Sequence, residues 1–262
     1  MTAVFLTSAP FVVNSESGSI SPTTMPARHV AKDYKGLVWR GDSGSYIVID
    51  LGATRDPYSC VAVMGHNLSN GASFTVTTSN TISGAISTPS ATFTNVGAYV
   101  GGSVYSGKTL ATNAQVSHRY VCVKFNLASS GLPYAEVNRV MVGTPLFLDG
   151  IDTDCENYFE DQSVVTKGTD FESFEQYDTR MSWRVKSSWI KDEKWRSQMK
   201  PFFAKVGLSK SVFFAPRWEG EAVAGDYFEE EAIWGRITSN AKGSHPNHEN
   251  WNFDLTVTSI VL

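Results

Sequence analysis

The sequence of 262 residues has little cysteine, no long apolar run and no block of basic residues. Its 3 cysteines, Cys60, Cys122 and Cys155, form no C-x-x-C pair, so the spacing of a disulfide scaffold is absent. Cys60 and Cys122 lie in apolar, strand-like runs, where buried free thiols are common. We therefore expect free thiols and assembly in a reducing compartment.

The missing apolar and basic runs exclude further classes of protein. No stretch approaches the roughly 20 apolar residues that a membrane-spanning helix needs, and the N-terminal residues lack the basic region of a secretory signal. The net charge of -4, without a basic cluster, argues against a nucleic-acid or anionic-membrane partner. The sequence therefore predicts a soluble protein that binds neither nucleic acid nor a membrane.

Short apolar segments typical of buried β-strands fill the first half of the chain. Tyr46–Leu51 and Cys60–Met64 are almost continuously apolar, which fits strands covered on both faces, as in a β-sandwich. Residues 81–115 are rich in Ser, Thr, Gly and Ala, a composition that disfavours a long helix. Further strands are predicted at Ser73–Thr78, Arg119–Leu127 and Val137–Val142.

The composition changes near residue 150. The segment Asp149–Asn157 is acidic and rich in turn-forming residues, and tryptophan becomes more frequent after it. We therefore predict one domain over residues 1–148, with an irregular N-terminal lead-in, and a second over residues 149–262.

The second half combines strands with one amphipathic helix. Met181–Trp189 alternates apolar and polar residues, as a half-buried strand does. In Lys191–Val206 the apolar residues fall on one helical face, with Asp192 as N-cap and Gly207 as C-cap, and Pro201 predicts a kink or break. This predicts a small, β-rich α+β domain, so the chain as a whole is mainly β. Its other strands are predicted at Ser211–Pro216, Ala232–Ile237 and Trp251–Thr258.

Two motifs raise the question of catalysis. Gly102–Thr109 matches the P-loop pattern G-x-x-x-x-G-K-[ST], in which Lys108 would contact phosphates and Thr109 would hold Mg²⁺. A P-loop needs a strand before it and a long helix after it, and the flanking residues predict neither. Gly41–Ser45 shares letters with a serine-protease nucleophile motif but has no recognisable His or Asp partner. We predict no enzyme and no cofactor, and a hydrolase or nucleotidase is the least favoured hypothesis.

Other polar groups are interpreted as structural or solvated. His245 and His248 lack the further ligands that zinc needs, and no calcium-loop pattern occurs. Glu229–Glu231 could supply paired carboxylates but is interpreted as solvated surface. Asp50 ends a strand, where Asp commonly caps a loop. We predict no metal site.

A loop and two tryptophans are the candidates for contact with a glycan or partner. His66 and Asn67 follow a strand, and we favour a turn over a ligand-contacting loop. Trp39 and Trp218 lie in polar context, where an exposed indole would supply a large contact area. The other tryptophans lie on apolar faces and are predicted to be core residues: Trp183, Trp189, Trp195, Trp234 and Trp251.

Residues 35–148 resemble the discoidin-type, galactose-binding-like jelly rolls found in tail proteins of tailed phages. Four segments carry this resemblance: Trp39, Tyr46–Gly52, Val61–Ser69 and Val137–Phe147. It implies a jelly-roll β-sandwich for the N-terminal half.

The C-terminal half resembles the belt-type domain of distal tail proteins of long-tailed phages, including the minor tail protein M family of lambda-like phages. In many distal tail proteins the belt domain comes first, whereas here it would come second. The matching segments are Arg180–Val185, the helix with Phe202, Phe203 and Gly207, Val212–Pro216, Ala232–Ile237 and Trp251–Thr258.

These resemblances imply a structural virion protein, assembled in the host cytoplasm and located in the tail. As a distal tail or tail-hub component it would form a homo-oligomeric ring, expected to be a hexamer, that joins the tail tube to the tip and contacts tube, hub and tip proteins. Arg180, Arg184 and Arg236 are the candidate ring-interface residues. The alternative is a carbohydrate-binding adhesin module for host glycan, with contacts at Trp39, His66, Asn67 and Trp218.

Overall fold

The structure is a computed structural model whose described residues form two large antiparallel sheets and a separate hairpin. In that part of the chain no helix is long and apolar enough to cross a membrane. The described residues are 2–20, 23–34, 36–68, 72–96, 107–128, 130–148, 150–152, 154–161, 163–169, 172–175, 179–218, 231–247 and 249–260.

The chain is mainly β, as predicted. The strands of the first half are β1 (Thr2–Leu6), β2 (Val12–Ser19), β3 (Trp39–Asp50), β4 (Tyr58–His66), β5 (Ser73–Ser79), β6 (Ala91–Val96), β7 (Gly107–Val116), β8 (Tyr120–Asn126), β9 (Ala135–Val137), β10 (Arg139–Gly143) and β11 (Leu146–Leu148). Those of the second half are β12 (Glu156–Glu160), β13 (Val164–Lys167), β14 (Glu172–Glu175), β15 (Arg180–Lys191), β16 (Ser211–Trp218), β17 (Ile233–Ile237), β18 (Lys242–Asn247) and β19 (Asn250–Ser259).

Strands β2 to β10 form a sheet of 9 strands that folds over itself as a sandwich. Two bent segments close its corners. In β6 the first residues pair with β5 and the last with β7. Around Asn138, β9 pairs with β3 while β10 pairs with β4. Strands that change partners in this way turn the corners of a sandwich. Short helical turns at Ala27–Ala31 and Ile82–Ser87 lie between strands.

Strand β4 is buried on both faces, which confirms the prediction from its apolar run. Tyr58, Val61 and Val63 point into the core of the sandwich. Cys60 and Met64 point the other way, into a separate apolar cluster. That cluster also contains side chains of the second sheet: Val4, Leu6, Phe213, Ala215 and Trp234. The two sheets therefore share one layer of core.

The second sheet has 8 strands, in the order β11-β1-β16-β17-β19-β15-β12, with β18 beside β19. The strand at the N-terminus, β1, lies between β11 and β16. Strands from both sides of the predicted boundary at residue 148 therefore build this sheet, and the boundary itself stays a prediction. At β16 the sequence predicted an end at Pro216, but the strand continues to Trp218.

One helical segment packs on the second sheet, as predicted for Lys191–Val206. It consists of Asp192–Lys194 (α), Trp195–Met199 (π) and Lys200–Val206 (α), followed by Gly207 at φ 55. The π turn comes directly before Pro201, whose missing N–H interrupts the helical bonds, so the predicted break is a local widening. The helix packs through rings: Phe203 lies 5.3 Å from Phe253, and Trp195 stacks on Trp251 at 5.0 Å.

The predicted N-cap of this helix was wrong. Lys191 occupies the capping position, and Asp192 is the first helical residue. Its carboxylate accepts hydrogen bonds from Arg196 Nε and from Trp251 Nε1, the latter at 2.7 Å. Asp192 thus ties the start of the helix to β19 instead of capping it.

Candidate functional site

His66 lies inside the protein, so the interpretation as a glycan contact was wrong. Its side chain is fully buried. Nδ1 accepts a hydrogen bond from the Leu68 amide at 3.3 Å, which leaves Nε2 to donate to Thr109 Oγ1 at 3.0 Å. Burial, with nearby Lys108 as a smaller cause, lowers the pKa of His66 to about 3. The imidazole is therefore neutral at pH 7.

The low pKa of His66 predicts a pH-dependent free energy of unfolding. Because the folded pKa of about 3 lies below the ordinary 6.5, this contribution is full above pH 6.5 and is lost as the pH falls toward 3. Between pH 7 and 4.5 we expect a loss of about 2 kcal/mol from this residue, measured by urea unfolding at both values. His66→Gln should remove that slope.

The matched control is His245→Gln, because the His245 side chain is exposed. This variant should keep the pH dependence of the unmodified protein. An undiminished slope in His66→Gln would contradict the assignment of His66 as the buried titrating group.

Trp39 is also a core residue, which corrects its interpretation as a surface contact. It is 0% exposed, and its ring lies 5.1 Å from that of Phe125. The indole Nε1 donates to Glu16 at 3.0 Å and to Ser19 at 2.7 Å. The polar neighbours that suggested exposure in the sequence are thus the partners that satisfy a buried indole. The side chain of Trp218 lies outside the described residues.

Asn67 ties the end of β4 to the segment at β9, through backbone groups far away in the sequence and not through the local bonds that the turn interpretation expected. Its Oδ1 accepts from the Glu136 amide at 2.7 Å, and its Nδ2 donates to the Tyr134 carbonyl at 3.1 Å. Beside it, the Arg40 guanidinium lies 4.0 Å from the centre of the half-buried Tyr134 ring and is paired with buried Glu136. This end of the sandwich therefore presents an aromatic ring next to a guanidinium.

The described part of the P-loop match is a strand. Lys108 and Thr109 belong to β7 and are buried, with Thr109 paired opposite Val63 of β4. Neither side chain is presented to a nucleotide, while Gly102–Ser106 lie outside the described residues.

Polar groups considered for metal binding have structural partners where the structure describes them. Asp50 accepts from the Gly52 amide at 2.8 Å and pairs with Arg119, whose hydrogen bond is the main reason that the pKa of Asp50 is lowered. This confirms the loop-cap interpretation. Among the described residues no group of three or more His, Cys, Asp or Glu side chains could hold a metal ion. His248, Glu229 and Glu230 lie outside the described residues.

Several exposed apolar side chains of the second half lie on strands β12, β13 and β14. Phe159 of β12 is 65% exposed and Phe174 of β14 is 67% exposed. Val164 and Val165 of β13 are exposed as well. We call residues 156–175 the acidic arm, because they contain 6 acidic residues and 1 lysine. An apolar surface with an acidic border is typical of a protein-binding site.

The arm consists of the edge strand of the second sheet and a separate hairpin. β12 is the last strand of the second sheet and pairs with β15 up to Glu160 opposite Arg180. β13 and β14 pair with each other, Val165 opposite Phe174, and with no other strand in the described ranges. A two-stranded hairpin alone is marginally stable in water, so a covering partner would stabilise it. The edge of β12 is also open to strand pairing.

A second exposed aromatic residue, Trp189, lies at the opposite end of β15. The sequence predicted it as core, but it is 72% exposed and has φ 62. A bulge between Ser187 and Ile190 adds a residue to β15 relative to β19 and turns Trp189 outward. The Asp152 carboxylate holds the bulge by accepting from the Ser188 amide and hydroxyl at 3.1 and 2.7 Å. Positive φ for such a bulky residue is strained.

Trp189 borders a groove of about 360 Å³. Two lysines, Lys191 and Lys194, line its side next to the helix. Residues 191–210, which include that helix, contain 6 basic and 2 acidic residues. We call this surface the Trp189 groove; its other lining residues are Leu148, Gly150, Ile151, Asp152, Ser187, Ser188 and Ile190.

The predicted interface arginines lie on the second sheet. Arg180 is exposed beside the arm. Arg184 is exposed and pairs with Asp254 at 3.0 Å. Arg236 is half-buried, and its Nε is buried without a hydrogen-bond partner among the described residues. Two of these three arginines therefore lie on the strand that connects the arm to the Trp189 groove, and their interface role stays a prediction.

Fold and surface together define a β-rich protein of two joined sheets with an exposed, acidic and partly apolar arm. No protein-family model matches the chain, and no curated protein matches it. Among solved structures it is similar to one described as the CBM32 of AlyQ in complex with 4,5-unsaturated mannuronic acid. That match has 14% sequence identity and a TM-score of 0.30, and it covers 53% of this chain and 96% of that chain. The resemblance to phage tail proteins stays a prediction from the sequence.

Proposed function

We propose that this chain is a non-catalytic structural protein that assembles with copies of itself through its second sheet. The observation that carries the proposal is the acidic arm, which exposes Phe159 on the edge strand of the second sheet and Phe174 on the separate hairpin. Exposed aromatic side chains on an uncovered ribbon cost solvation energy in a monomer, and burial against a partner recovers it. Such side chains are also the usual anchors of subunit interfaces.

A more specific proposal concerns the form and location of the assembly: a ring in the distal tail or tail hub of a long-tailed phage. It rests on the resemblance of the C-terminal segments to belt-type domains, and it assigns the protein to the virion tail after assembly in the host cytoplasm. The arm and the exposed Arg180 and Arg184 would lie between subunits, and the sandwich would decorate the ring.

The mass of the purified full-length chain tests the assembly proposal. Sedimentation velocity at micromolar concentration should give a stable multiple of 28.7 kDa. A species of one-chain mass that persists up to 50 μM would contradict the proposal.

A second candidate function, carbohydrate binding, is favoured by the Tyr134–Arg40 pair at the end of the sandwich. An aromatic ring beside a guanidinium can stack on a sugar ring and donate hydrogen bonds to its hydroxyls. Titration with neutral and uronic-acid oligosaccharides should then show saturable binding that Tyr134→Ala abolishes, whereas exposed Tyr34→Ala should leave binding unchanged. Equal behaviour of the two variants would exclude this site.

A further inference from the structure

We infer that the acidic arm of one copy binds in the Trp189 groove of the next copy, so that the subunits associate head to tail. This inference rests on the proposed self-assembly and names the two surfaces that meet. Three independent features of the described residues support it: position, charge and apolar content.

The apolar residues of the arm and the Trp189 groove lie at different ends of β15. Val165, opposite Phe174, is five residues beyond Glu160, which limits its distance from the end of β12 to about 18 Å. Glu160 pairs with Arg180, and Trp189 lies nine residues further along β15, roughly 30 Å away. Among the described residues, none of those that line the groove belongs to the arm, so the groove of one molecule can accept the arm of another.

The charges of the two surfaces are complementary. The arm has 6 acidic residues against 1 lysine, whereas residues 191–210 have 6 basic against 2 acidic residues. The charged residues that line the groove are Lys191, Lys194 and Asp152, so its lining has a net charge of +1 (two positive, one negative). The opposite charges of arm and groove favour their encounter. Two arms carry the same charge, so contacts between them are disfavoured.

The apolar parts also match. The arm exposes Phe159 and Phe174, and the groove offers Trp189 with Ile151 and Ile190 beside it. The bulge that exposes Trp189 gives this residue a strained φ. Contact between the indole and a partner would offset the energetic cost of that conformation. A contact between two different surfaces repeats around an axis, and it closes into a ring when the rotation divides a full turn.

Charge reversal tests the arm–groove contact in the full-length protein. The arm variant carries Asp161→Lys, Glu172→Lys and Glu175→Lys, which changes the net charge of the arm from -5 to +1 (-5 + 6), and the groove variant carries Lys191→Glu and Lys194→Glu. Each variant alone should associate at least tenfold more weakly than the unmodified protein in about 50 mM salt, with a smaller difference in about 500 mM salt. Sedimentation velocity measures the association, and circular dichroism checks that both variants are folded.

Mixing the two variants supplies the decisive result. In a 1:1 mixture the arm of each variant meets a groove of opposite charge on the other variant, so association should return, and a chain that carries all five substitutions should also self-associate. The matched control, Lys205→Glu with Lys210→Glu, reverses two exposed charges of the same segment outside the groove and should assemble normally.

The outcomes separate this inference from the proposed function. If the unmodified chain is an oligomer but the two variants assemble normally, or their mixture stays dissociated, the arm–groove contact is overturned and self-assembly stands. If the unmodified chain is a monomer, self-assembly and the contact are both overturned.

Discussion

Replacing Phe159 and Phe174 by serine is expected to dissociate the assembly into single chains. Aromatic anchors at the centre of an interface commonly contribute about 2 kcal/mol or more each, so the double variant should weaken association by about a thousandfold. Both side chains are about two-thirds exposed, at 65% and 67%, so the fold of the single chain should lose little stability. Sedimentation velocity across a concentration series measures the effect.

The matched control removes two equally exposed apolar side chains elsewhere. Val12 and Tyr34 are 64% and 63% exposed and belong to the first half of the chain, away from the arm. Val12→Ser with Tyr34→Ser should leave the mass of the assembly unchanged. An unchanged mass of the arm variant would show that the arm is not the subunit contact.

Trp234→Ala is expected to lower the free energy of unfolding by about 3–5 kcal/mol, because it opens a large cavity in the layer between the two sheets. Trp234 is 1% exposed, and its cluster joins Met64 and Cys60 of the sandwich to Phe213 of the second sheet. Since both sheets contribute to this layer, the whole chain should unfold in one transition. Urea unfolding followed by far-ultraviolet circular dichroism measures both quantities.

A more conservative change at the same position separates the effect of the buried indole N–H from the effect of the side-chain volume. Its Nε1 is buried without a hydrogen-bond partner among the described residues, so Trp234→Phe removes an unsatisfied donor together with some volume. This variant should lose much less stability than Trp234→Ala, and the exposed control Tyr34→Ala should change by less than about 0.5 kcal/mol. Two separate transitions, with only one shifted by Trp234→Ala, would contradict a shared core.

Local patterns predicted β4 and the helix because those patterns follow directly from burial. The apolar run of β4 has one face on the sandwich core and one on the second sheet, so every position is buried. The apolar face of Lys191–Val206 lies on aromatic side chains of the second sheet. In both cases the period in the sequence matches the surface that the element covers.

The candidate contact residues could not be predicted in the same way, because their exposure depends on distant partners. Trp39 is buried since Glu16 and Ser19, some 20 residues earlier, satisfy its indole. Trp189 is exposed because a bulge shifts the register of β15 against β19. The alternation of apolar and polar residues within β15 does not indicate that shift. The pairing of β1 with β16 likewise joins residues that are far apart in the sequence.

The sequence indicates the arm only weakly. Phe159, Val164, Val165 and Phe174 are apolar, but they stand among acidic and turn-forming residues, and the segment has no clear period of burial. An apolar minority within an acidic ribbon is what a surface that is covered only on assembly would contain. Its short strands and its lack of a covering layer follow from the topology of the sheet, which the sequence alone did not indicate.

Negative-stain electron microscopy of the purified protein will show whether its copies assemble into rings. We expect closed rings of uniform size with rotational symmetry, built from chains of 28.7 kDa and lost in the Phe159→Ser, Phe174→Ser variant. A field of uniform particles with the size of a single chain, at concentrations where sedimentation also gives one-chain mass, would contradict this expectation.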